Sequence, residues 1–277
     1  MFPPERIVCL TEETTETLYL LGEQDRIVGI SGYTVRPPQA RREKPRVSAF
    51  ISADIPRILA LKPDLVLAFC DIQAAIVADL VRAGLPVHAF NQRDVAGILD
   101  MVRMLGAMVG ATERAAALAD ALAANLERTR RASLPVRPRV YFEEWDDPMI
   151  SGVGWVSELV EAAGGIDVFA DLAGEKAAKD RIVTPEEVVR RAPDIVIGSW
   201  CGKKFRKDAF AARPGFDAIP AVRDGELHEV KSALILQPGP AALTDGLAAL
   251  AAIVARWSER HRPAAGGGTH STPTRSG

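Results

Sequence analysis

The sequence predicts an α/β protein built from two similar lobes, and an internal repeat is the main reason. Residues 51–70 and 181–200 follow the same plan: a short amphipathic helix, a Pro-Asp break and a fully apolar strand. The break falls at Pro63-Asp64 in one copy and at Pro193-Asp194 in the other. A strand that is apolar on both faces is typical of a parallel sheet covered by helices on both sides. Two such units predict two lobes with a cleft between them, and ligands commonly bind in such clefts.

Length and composition agree with this architecture and argue against two classes of function. The chain has 277 residues, of which 48% are hydrophobic, which is enough for two ordinary domains with their own cores. The formal net charge is −2, so nothing in the charge favours nucleic acid as a partner. Apolar runs of membrane-spanning length are missing from the sequence, and we therefore expect no membrane insertion. The three cysteines have no metal-like spacing, and their odd number argues against a disulfide framework.

The first lobe is predicted over residues 1–110. Apolar runs bounded by turn residues predict its strands, with helices between them. The strands are expected at residues 6–10, 27–30, 64–69 and 86–90. Residues 94–109 place apolar side chains on one helical face, and Gly110 is expected to end that helix.

The segment between the two copies of the repeat predicts one long helix. Residues 112–132 are alanine-rich, with leucines at i, i+4 spacing and Thr112 as the expected N-cap. At 1.5 Å per residue such a helix spans roughly 30 Å, the width of a small lobe. Pro135 and Pro138 then break the chain. We predict that residues 111–134 form a rigid connector, with an ordinary helix packed on one lobe as the alternative.

The second lobe is predicted over residues 135–262. Its strands are expected near residues 139–143, 194–198 and 227–230, and its last helix over 241–260. Both lobes are therefore expected to be Rossmann-like, with parallel sheets. The Gly-, Ser- and Thr-rich residues 263–277 predict a disordered tail.

Side chains arranged for catalysis are scarce in this sequence. It lacks a GxSxG elbow, a phosphate-binding glycine loop and a GxGxxG motif after a strand. The carboxylates Glu143-Glu144 and Asp146-Asp147 could bind a cation or act as acid and base. Such a run is more often a solvated strand end. We therefore predict a protein that is not an enzyme, with no catalytic residue and no metal held by protein side chains.

Aromatic residues mark the expected site, because they fall at or just beyond predicted strand ends. They are Tyr33, Phe50, Phe69, Trp145, Trp155 and Trp200. In open parallel sheets, ligands bind at the carboxyl ends of the strands. Taken singly, each of these side chains is equally consistent with core packing. As a set they predict a cleft that binds a large and partly flat ligand.

Over roughly residues 5–258 the chain resembles the substrate-binding proteins of ABC importers. The similar segments include RIVCLTEETTETLYLLGEQDRIVGISGY and RVSAFISADIPRILALKPDLVLAF in the first lobe. In the second lobe they are SGVGWVSELVEAAGGIDVFAD, TPEEVVRRAPDIVIGSW and QPGPAALTDGLAALA. Order and spacing resemble the cobalamin-, haem- and siderophore-binding class, and its cobalamin-binding branch most. The resemblance implies two lobes joined by one long helix, and non-enzymatic binding of a corrinoid or similar large metal chelate for import. Haem or a ferric siderophore is the alternative ligand.

The resemblance also implies which residues line the cleft. They are Glu13, Tyr33, Phe50 and Phe69 in the first lobe, and Glu144, Trp145, Asp180, Arg181, Trp200 and Gln237 in the second. The family commonly has an arginine near position 240, where this chain has Pro240-Ala241. A corrinoid already carries its metal, so we expect no cofactor and no metal ligand from the protein.

An ABC permease is the partner that the resemblance implies, held by one glutamate on each lobe. Glu186 matches the second-lobe glutamate, whereas the first-lobe position falls at Gln73-Ala74. The resemblance implies a periplasmic monomer. Met1 is followed by no signal peptide, so a cytoplasmic location follows if Met1 is the native start. These two departures support an alternative hypothesis, a leaderless cytosolic protein or enzyme that handles corrinoid or haem on the same fold.

Overall fold

The computed structural model describes residues 3–132 and 134–263, and its first sheet is wholly parallel. The strands are β1 (Ile7–Cys9), β2 (Ile27–Ser31), β3 (Arg46–Ser48), β4 (Leu65–Phe69) and β5 (Val87–Phe90). The helices are α1 (Glu12–Leu20), α2 (Ala40–Glu43), α3 (Ile55–Ala60), α4 (Ala74–Arg82) and α5 (Val95–Met108). Within the described residues the strand order is β3-β2-β1-β4-β5. The predicted parallel α/β lobe is confirmed, with β3 as a strand that the sequence analysis missed.

A single helix, α6 (Thr112–Arg130), carries the chain from the first sheet to the second. It has 19 residues and buries Ala115, Ala119, Leu122 and Leu126 along one face. The predicted long connector is therefore confirmed. The prediction of Thr112 as its N-cap is wrong, because Ala111 occupies that position and supplies no side-chain cap.

The second sheet is parallel except for one hairpin. Its strands are β6 (Arg139–Asp146), β7 (Met149–Ser151), β8 (Ile166–Asp167), β9 (Ile195–Gly198) and β10 (Leu227–Glu229). Within the described residues the order is β10-β9-β6-β7, and β8 also pairs with β6. The predicted parallel sheet is confirmed for β6, β8, β9 and β10, and β7, which is antiparallel to β6, is a strand that the sequence analysis missed. The turn between them, at Asp147-Pro148, is too short for a crossover, so only an antiparallel pair can form.

Helices cover this sheet and then complete the chain. They are α7 (Gly154–Ala162), α8 (Pro185–Arg191), α9 (Lys207–Ala211), α10 (Pro220–Arg223), α11 (Ser232–Ile235) and α12 (Leu247–Arg260). A π-helical segment, Ala242–Gly246, leads into α12. The predicted last helix thus exists, with an irregular first turn. Among the described residues, no helix combines the length and the apolar character needed to cross a membrane.

The Pro-Asp break of the repeat has the same structural role in both lobes. The Asp64 carboxylate accepts backbone hydrogen bonds, both 2.8 Å long, from Glu5 and Arg6 just before β1. Asp194 accepts the corresponding bond from Arg139, at the start of β6, at 2.8 Å. Each aspartate therefore fastens the start of the neighbouring strand, which explains why both lobes carry the same dipeptide.

Each lobe has a buried hydrophobic cluster of its own, and a third, larger cluster spans the two lobes. It joins both sheets through Leu105 of α5, Leu122 of α6, Leu159 of α7 and Leu250 of α12, all nearly inaccessible to solvent. Packing of this kind resists large relative motion of the lobes. The lobe boundaries at residues 110, 134 and 262 stay predictions. The predicted tail, residues 263–277, lies outside the described residues apart from residue 263.

Candidate ligand site between the two sheets

The carboxyl ends of the two sheets point toward a common junction. Gln92, just beyond β5, donates from Nε2 to the carbonyl oxygen of Pro238 at 2.8 Å. The backbone N–H of Trp155, at the start of α7, donates to the carbonyl oxygen of Arg93 at 3.1 Å. Residues that follow strand ends in one lobe thus contact those of the other. These contacts hold the carboxyl ends of the two sheets together at the position where the repeat predicts a cleft.

The first lobe presents an apolar surface at this edge. Its exposed members follow β2, β3 and β4, and they are Tyr33 (57% exposed), Val35 (36%), Ile51 (75%) and Ile72 (52%). Below them Phe50 is half-buried and Phe69 is buried. We call the four exposed side chains the apolar face. Large exposed apolar side chains that follow the carboxyl ends of parallel strands are typical of a binding surface.

Gln73 connects the ends of the first-lobe strands from the protein interior. Its side chain is fully buried, and its Oε1 accepts a hydrogen bond from the N–H of Phe69 at 3.0 Å. Its Nε2 donates to the carbonyl oxygens of Phe50 at 2.9 Å and Leu10 at 3.4 Å. The family resemblance matches Gln73-Ala74 to the first-lobe position that docks on the permease. The structure places Gln73 in the interior and leaves Ala74 exposed.

Phe69 is covered by a cation rather than left open. The Arg93 guanidinium carbon lies 5.4 Å from the centre of the Phe69 ring, and Arg93 also pairs with Asp71 at 2.9 Å. A cation over an aromatic face is a favourable arrangement. Arg93 therefore lies over one face of the Phe69 ring.

In the second lobe, the end of β6 is fixed by a buried carboxylate. Glu143 has no solvent exposure on its side chain, and Arg213 donates to both of its oxygens, at 2.5 and 3.0 Å. The Tyr141 hydroxyl and the Trp200 Nε1 each donate to it at 3.0 Å. Burial raises the pKa of the Glu143 carboxyl, and the bonds from Arg213 oppose that rise.

This network places Trp200 inside the second-lobe core. The Trp200 side chain is buried and meets Phe205 edge to face at 5.1 Å between ring centres. Because its N–H is already used by Glu143, the indole is held in position. Its contact with ligand stays a prediction.

Two other predicted ligand residues lie together and bind each other. Nη1 of Arg181 is 2.7 Å from Oε2 of Glu144, and the same guanidinium donates to the carbonyl oxygen of Ser151. Arg181 is buried, whereas the neighbouring Asp180 is exposed. Glu144 and Arg181 therefore form one neutral unit at the rim.

Trp145 lies half-buried at the end of β6, beneath a lysine. The Lys203 Nζ is 4.1 Å from the centre of the Trp145 ring and 5.3 Å from that of Trp200, and Lys203 also pairs with Asp146. Glu143, Glu144 and Asp146 thus each have a cationic partner. The interpretation of this acidic run as a solvated strand end is wrong for Glu143, which Arg213 allows to be buried.

Helix α1 brings Glu13 against the loop that contains Gln237. Burial raises the pKa of the Glu13 carboxyl to about 7, although the Thr11 hydroxyl donates to its Oε1 at 2.5 Å. Oε2 of Glu13 has no hydrogen-bond partner among the described residues. A Cβ at Gly239 would lie 2.5 Å from Cβ of Glu13, so only glycine permits this approach. The half-buried Gln237 is held two residues away.

A second acid of α1 ties the lobes together. Glu16 accepts a hydrogen bond from the N–H of Ala241 at 3.0 Å and pairs with Arg36 at 2.9 Å. Arg36 also contacts Asp245 at 2.9 Å. The chain Glu16–Arg36–Asp245 therefore links the first lobe to the segment that starts the last helix.

A separate cavity of about 460 Å³ lies beside the junction, between α5, α7 and the end of α6. Its lining includes charged side chains of both signs, among them Arg93, Arg130, Glu158 and Lys176. The predicted ligand residues lie outside it. Within residues 3–132 and 134–263, no three His, Cys, Asp or Glu side chains are grouped so that they could hold a metal ion.

The structure thus joins most of the predicted site residues in small groups. Gln73 links Phe50 to Phe69, Lys203 bridges Trp145 and Trp200, Arg181 pairs with Glu144, and Glu13 approaches the loop of Gln237. Tyr33 and Asp180 are exposed at the rim of opposite lobes. Their contact with a ligand stays a prediction.

Comparisons with known proteins agree with this architecture. A protein of Halobacterium salinarum described as cobalamin-binding is 28% identical over 246 residues, covering 86% of this chain and 66% of the relative. The vitamin B12-binding protein of Vibrio cholerae is 28% identical over 202 residues, covering 72% of this chain and 71% of the relative. The apo structure of the periplasmic heme-binding protein RhuT from Roseiflexus sp. RS-1 matches with a TM-score of 0.75 at 25% identity. That match covers 90% of this chain and 99% of RhuT.

The chain spans 66% of the length of the Halobacterium relative that it matches. The profile of the family described as "Periplasmic binding protein" matches residues 7–234. That range contains both sheets, the connecting helix and every predicted ligand residue except Gln237. The chain therefore belongs to the periplasmic binding protein family.

Proposed function

We propose that this protein binds, without chemical conversion, a corrinoid such as cobalamin or a similar large metal chelate in the cleft between its two sheets. The apolar face of the first lobe is the observation that carries the proposal. Four large apolar side chains, 36% to 75% exposed, lie at the strand ends where ligands of such sheets bind. A corrin or porphyrin ring offers a broad apolar surface that would cover them. The names of the cobalamin- and vitamin B12-binding relatives support this class of ligand.

The second lobe would complete the site with an aromatic edge and polar groups. Trp145 would contact the ring, while Glu144, Asp180 and Gln237 would orient amide groups at its rim. One buried aromatic anchor is worth about 2 kcal/mol when truncated, and nanomolar affinity corresponds to about 12 kcal/mol. Several of these contacts must therefore act together. The chelate is cargo, and the proposal assigns no resident cofactor to the protein.

Haem is the second candidate ligand. The similarity to the heme-binding protein RhuT extends over 90% of this chain, and a porphyrin would suit the same apolar face. A ferric siderophore belongs to the same general class of chelate and is included in the test below.

The alternative of an enzyme on this fold has weaker support. Glu143, Glu144 and Asp146, the carboxylates in the run that the sequence offers for acid–base chemistry, are each held in an ion pair. Proton transfer needs a group that is free to reach the substrate. Their ion pairs therefore count against these three carboxylates as acid–base groups.

The proposal includes an ABC permease as partner and a periplasmic site of action, as in the family. The exposure of Glu186 in the first turn of α8 supports its assignment to docking. The first-lobe counterpart offers the exposed Ala74 in place of a glutamate. We therefore expect docking of a monomer that is weak, salt-sensitive and dominated by the second lobe, since one exposed ion pair is worth at most about 1 kcal/mol.

Calorimetric titration with cyanocobalamin, haemin and a ferric hydroxamate tests the proposal. One of these chelates is expected to bind with 1:1 stoichiometry and to quench tryptophan fluorescence, because Trp145 lies at the cleft. Ile72→Glu should weaken binding by about tenfold or more. Val81→Glu is the matched control, since Val81 is 56% exposed on α4 but lies toward the opposite end of the sheet. Absence of binding by all three chelates, or equal binding by both variants, would contradict the proposal.

A further inference from the structure

The loop that follows β9 is strongly basic, and the ligand assignment above makes no use of it. Four of the five residues from Lys203 to Lys207 are cationic, and we call this segment the basic loop. It lies at the carboxyl end of β9, the same edge at which the cleft opens. Its cationic side chains are all exposed.

A buried phenylalanine holds the basic loop in place. Phe205 is 2% exposed, and its N–H donates to Oε1 of Glu229 at 3.1 Å. A Cβ at Gly198 would lie 2.0 Å from the Phe205 ring, so the ring packs directly on the backbone of β9. The cationic side chains therefore project from a segment that Phe205 holds against the sheet.

The charges of the basic loop are only partly compensated. Lys203 pairs with Asp146, and Arg206 approaches Asp208 at 3.4 Å with both side chains largely exposed. Lys204 and Lys207 have no ion-pair partner within residues 3–132 and 134–263.

The uncompensated cations border a depression in the surface of about 370 Å³. It is lined by Lys204, Phe205, Arg206, Lys207, Asp208 and Glu229. Of its two acids, Glu229 already accepts from the backbone of Phe205, and Asp208 faces Arg206. The depression is thus left with a net positive charge.

The residues beyond the strand ends therefore differ between the lobes, with four exposed apolar side chains in the first and exposed cations after β9 in the second. We propose that the ligand carries anionic groups, carboxylates or a phosphate, along the edge that meets the second lobe, and that the basic loop binds them. This inference rests on the proposed function and narrows it to chelates with an anionic edge. Haem propionates and the phosphate of cobalamin share this chemistry. Lysine binds such groups as a point charge, so the contribution should depend on ionic strength.

Two matched pairs of chelates distinguish a carboxylate from a phosphate as the anionic group that the basic loop binds. Haemin is compared with haemin dimethyl ester, which lacks free carboxylates, and cyanocobalamin with dicyanocobinamide, which lacks the phosphate. Each is titrated against the wild-type protein, the K204Q/R206Q/K207Q variant and the control R57Q/R128Q/R131Q. The control removes the same charge from exposed positions on α3 and at the end of α6. Lys203 is kept because it packs on Trp145.

In whichever pair binds, the chelate with the anionic group should bind the loop variant about tenfold more weakly than the wild type at low salt. This change corresponds to about 1.4 kcal/mol of binding free energy. Affinity for the neutral member should stay within twofold, and the salt dependence should flatten. The control variant should behave as wild type, and circular dichroism should show that all three proteins are folded. Equal losses for both members, or no loss, would overturn this inference while leaving the proposed function intact. Failure of every chelate to bind wild-type protein would overturn both.

Discussion

Replacement of Arg213 by methionine should expose how strongly the second-lobe site depends on one buried ion pair. Arg213 donates two hydrogen bonds to Glu143, whose side chain has no solvent exposure. Methionine retains much of the apolar bulk of the arginine stem but supplies no charge. The variant therefore leaves the Glu143 carboxylate with only the Tyr141 hydroxyl and the Trp200 indole N–H as donors.

The expected loss in the free energy of unfolding is about 3 to 5 kcal/mol at pH 8, which is the usual effect of leaving one member of a buried pair without its partner. Glu143 can reduce this loss by taking up a proton. Burial already raises its pKa in the wild type, and loss of Arg213 raises it further. The folded variant then binds a proton that the unfolded chain releases above its own lower pKa. Stability should therefore fall as pH rises, and the deficit should be smaller at pH 5 than at pH 8.

Urea denaturation of the wild type, Arg213→Met and the double variant E143Q/R213M at both pH values provides the assay. The double variant removes the unpaired charge and should recover most of the lost stability, with little dependence on pH. A loss below about 1 kcal/mol in Arg213→Met, or a double variant no more stable than the single one, would refute this account of the network.

Three further predictions follow from the first lobe and the docking surface. Glu13→Gln should stabilise the protein above pH 7 by up to about 3 kcal/mol, because the carboxyl pKa of about 7 makes the charged form unfavourable in the folded state. Urea denaturation between pH 5 and 8 should show a smaller fall with pH than wild type, and an unchanged slope would contradict this. Gln73→Leu should cost about 2 to 3 kcal/mol of stability and weaken chelate binding at temperatures where the variant is folded. Wild-type affinity in the folded variant would show that Gln73 does not position the cleft. Ala74→Glu should strengthen a pull-down with reconstituted permease and Glu186→Ala should abolish it, whereas a salt-insensitive complex that survives Glu186→Ala would place docking elsewhere.

Most of the fold was accessible from sequence because its signals are local and repeated. The apolar strands and the Pro-Asp breaks at Asp64 and Asp194 predicted two parallel sheets, and the alanine-rich segment predicted α6. The features that the sequence did not predict correctly depend on geometry at the ends of helices and strands. A hairpin of two turn residues made β7 antiparallel, and Ala111 rather than Thr112 took the N-cap position of α6.

The site was harder to predict, because side-chain partners far apart in sequence decide it. Trp200 is predicted to contact the ligand, and the sequence could not show that Glu143 and Phe205 fix its indole in the second-lobe core. Gln73 looked like a surface position, yet its three hydrogen bonds fasten the ends of strands that only the fold brings together. The basic loop was visible in sequence as a run of lysine and arginine. Its position beyond the carboxyl end of β9 follows only from the fold.

Amide hydrogen exchange with and without the best-binding chelate can locate the ligand directly. Binding between the two sheets predicts added protection in residues 32–36, 50–54 and 70–74 of the first lobe, together with residues 144–148 and 199–207 of the second. The outer helices α3 and α10 should exchange as before. Protection confined to the side cavity around Arg130 and Glu158, or to one lobe alone, would contradict a ligand held between the carboxyl ends of the two sheets.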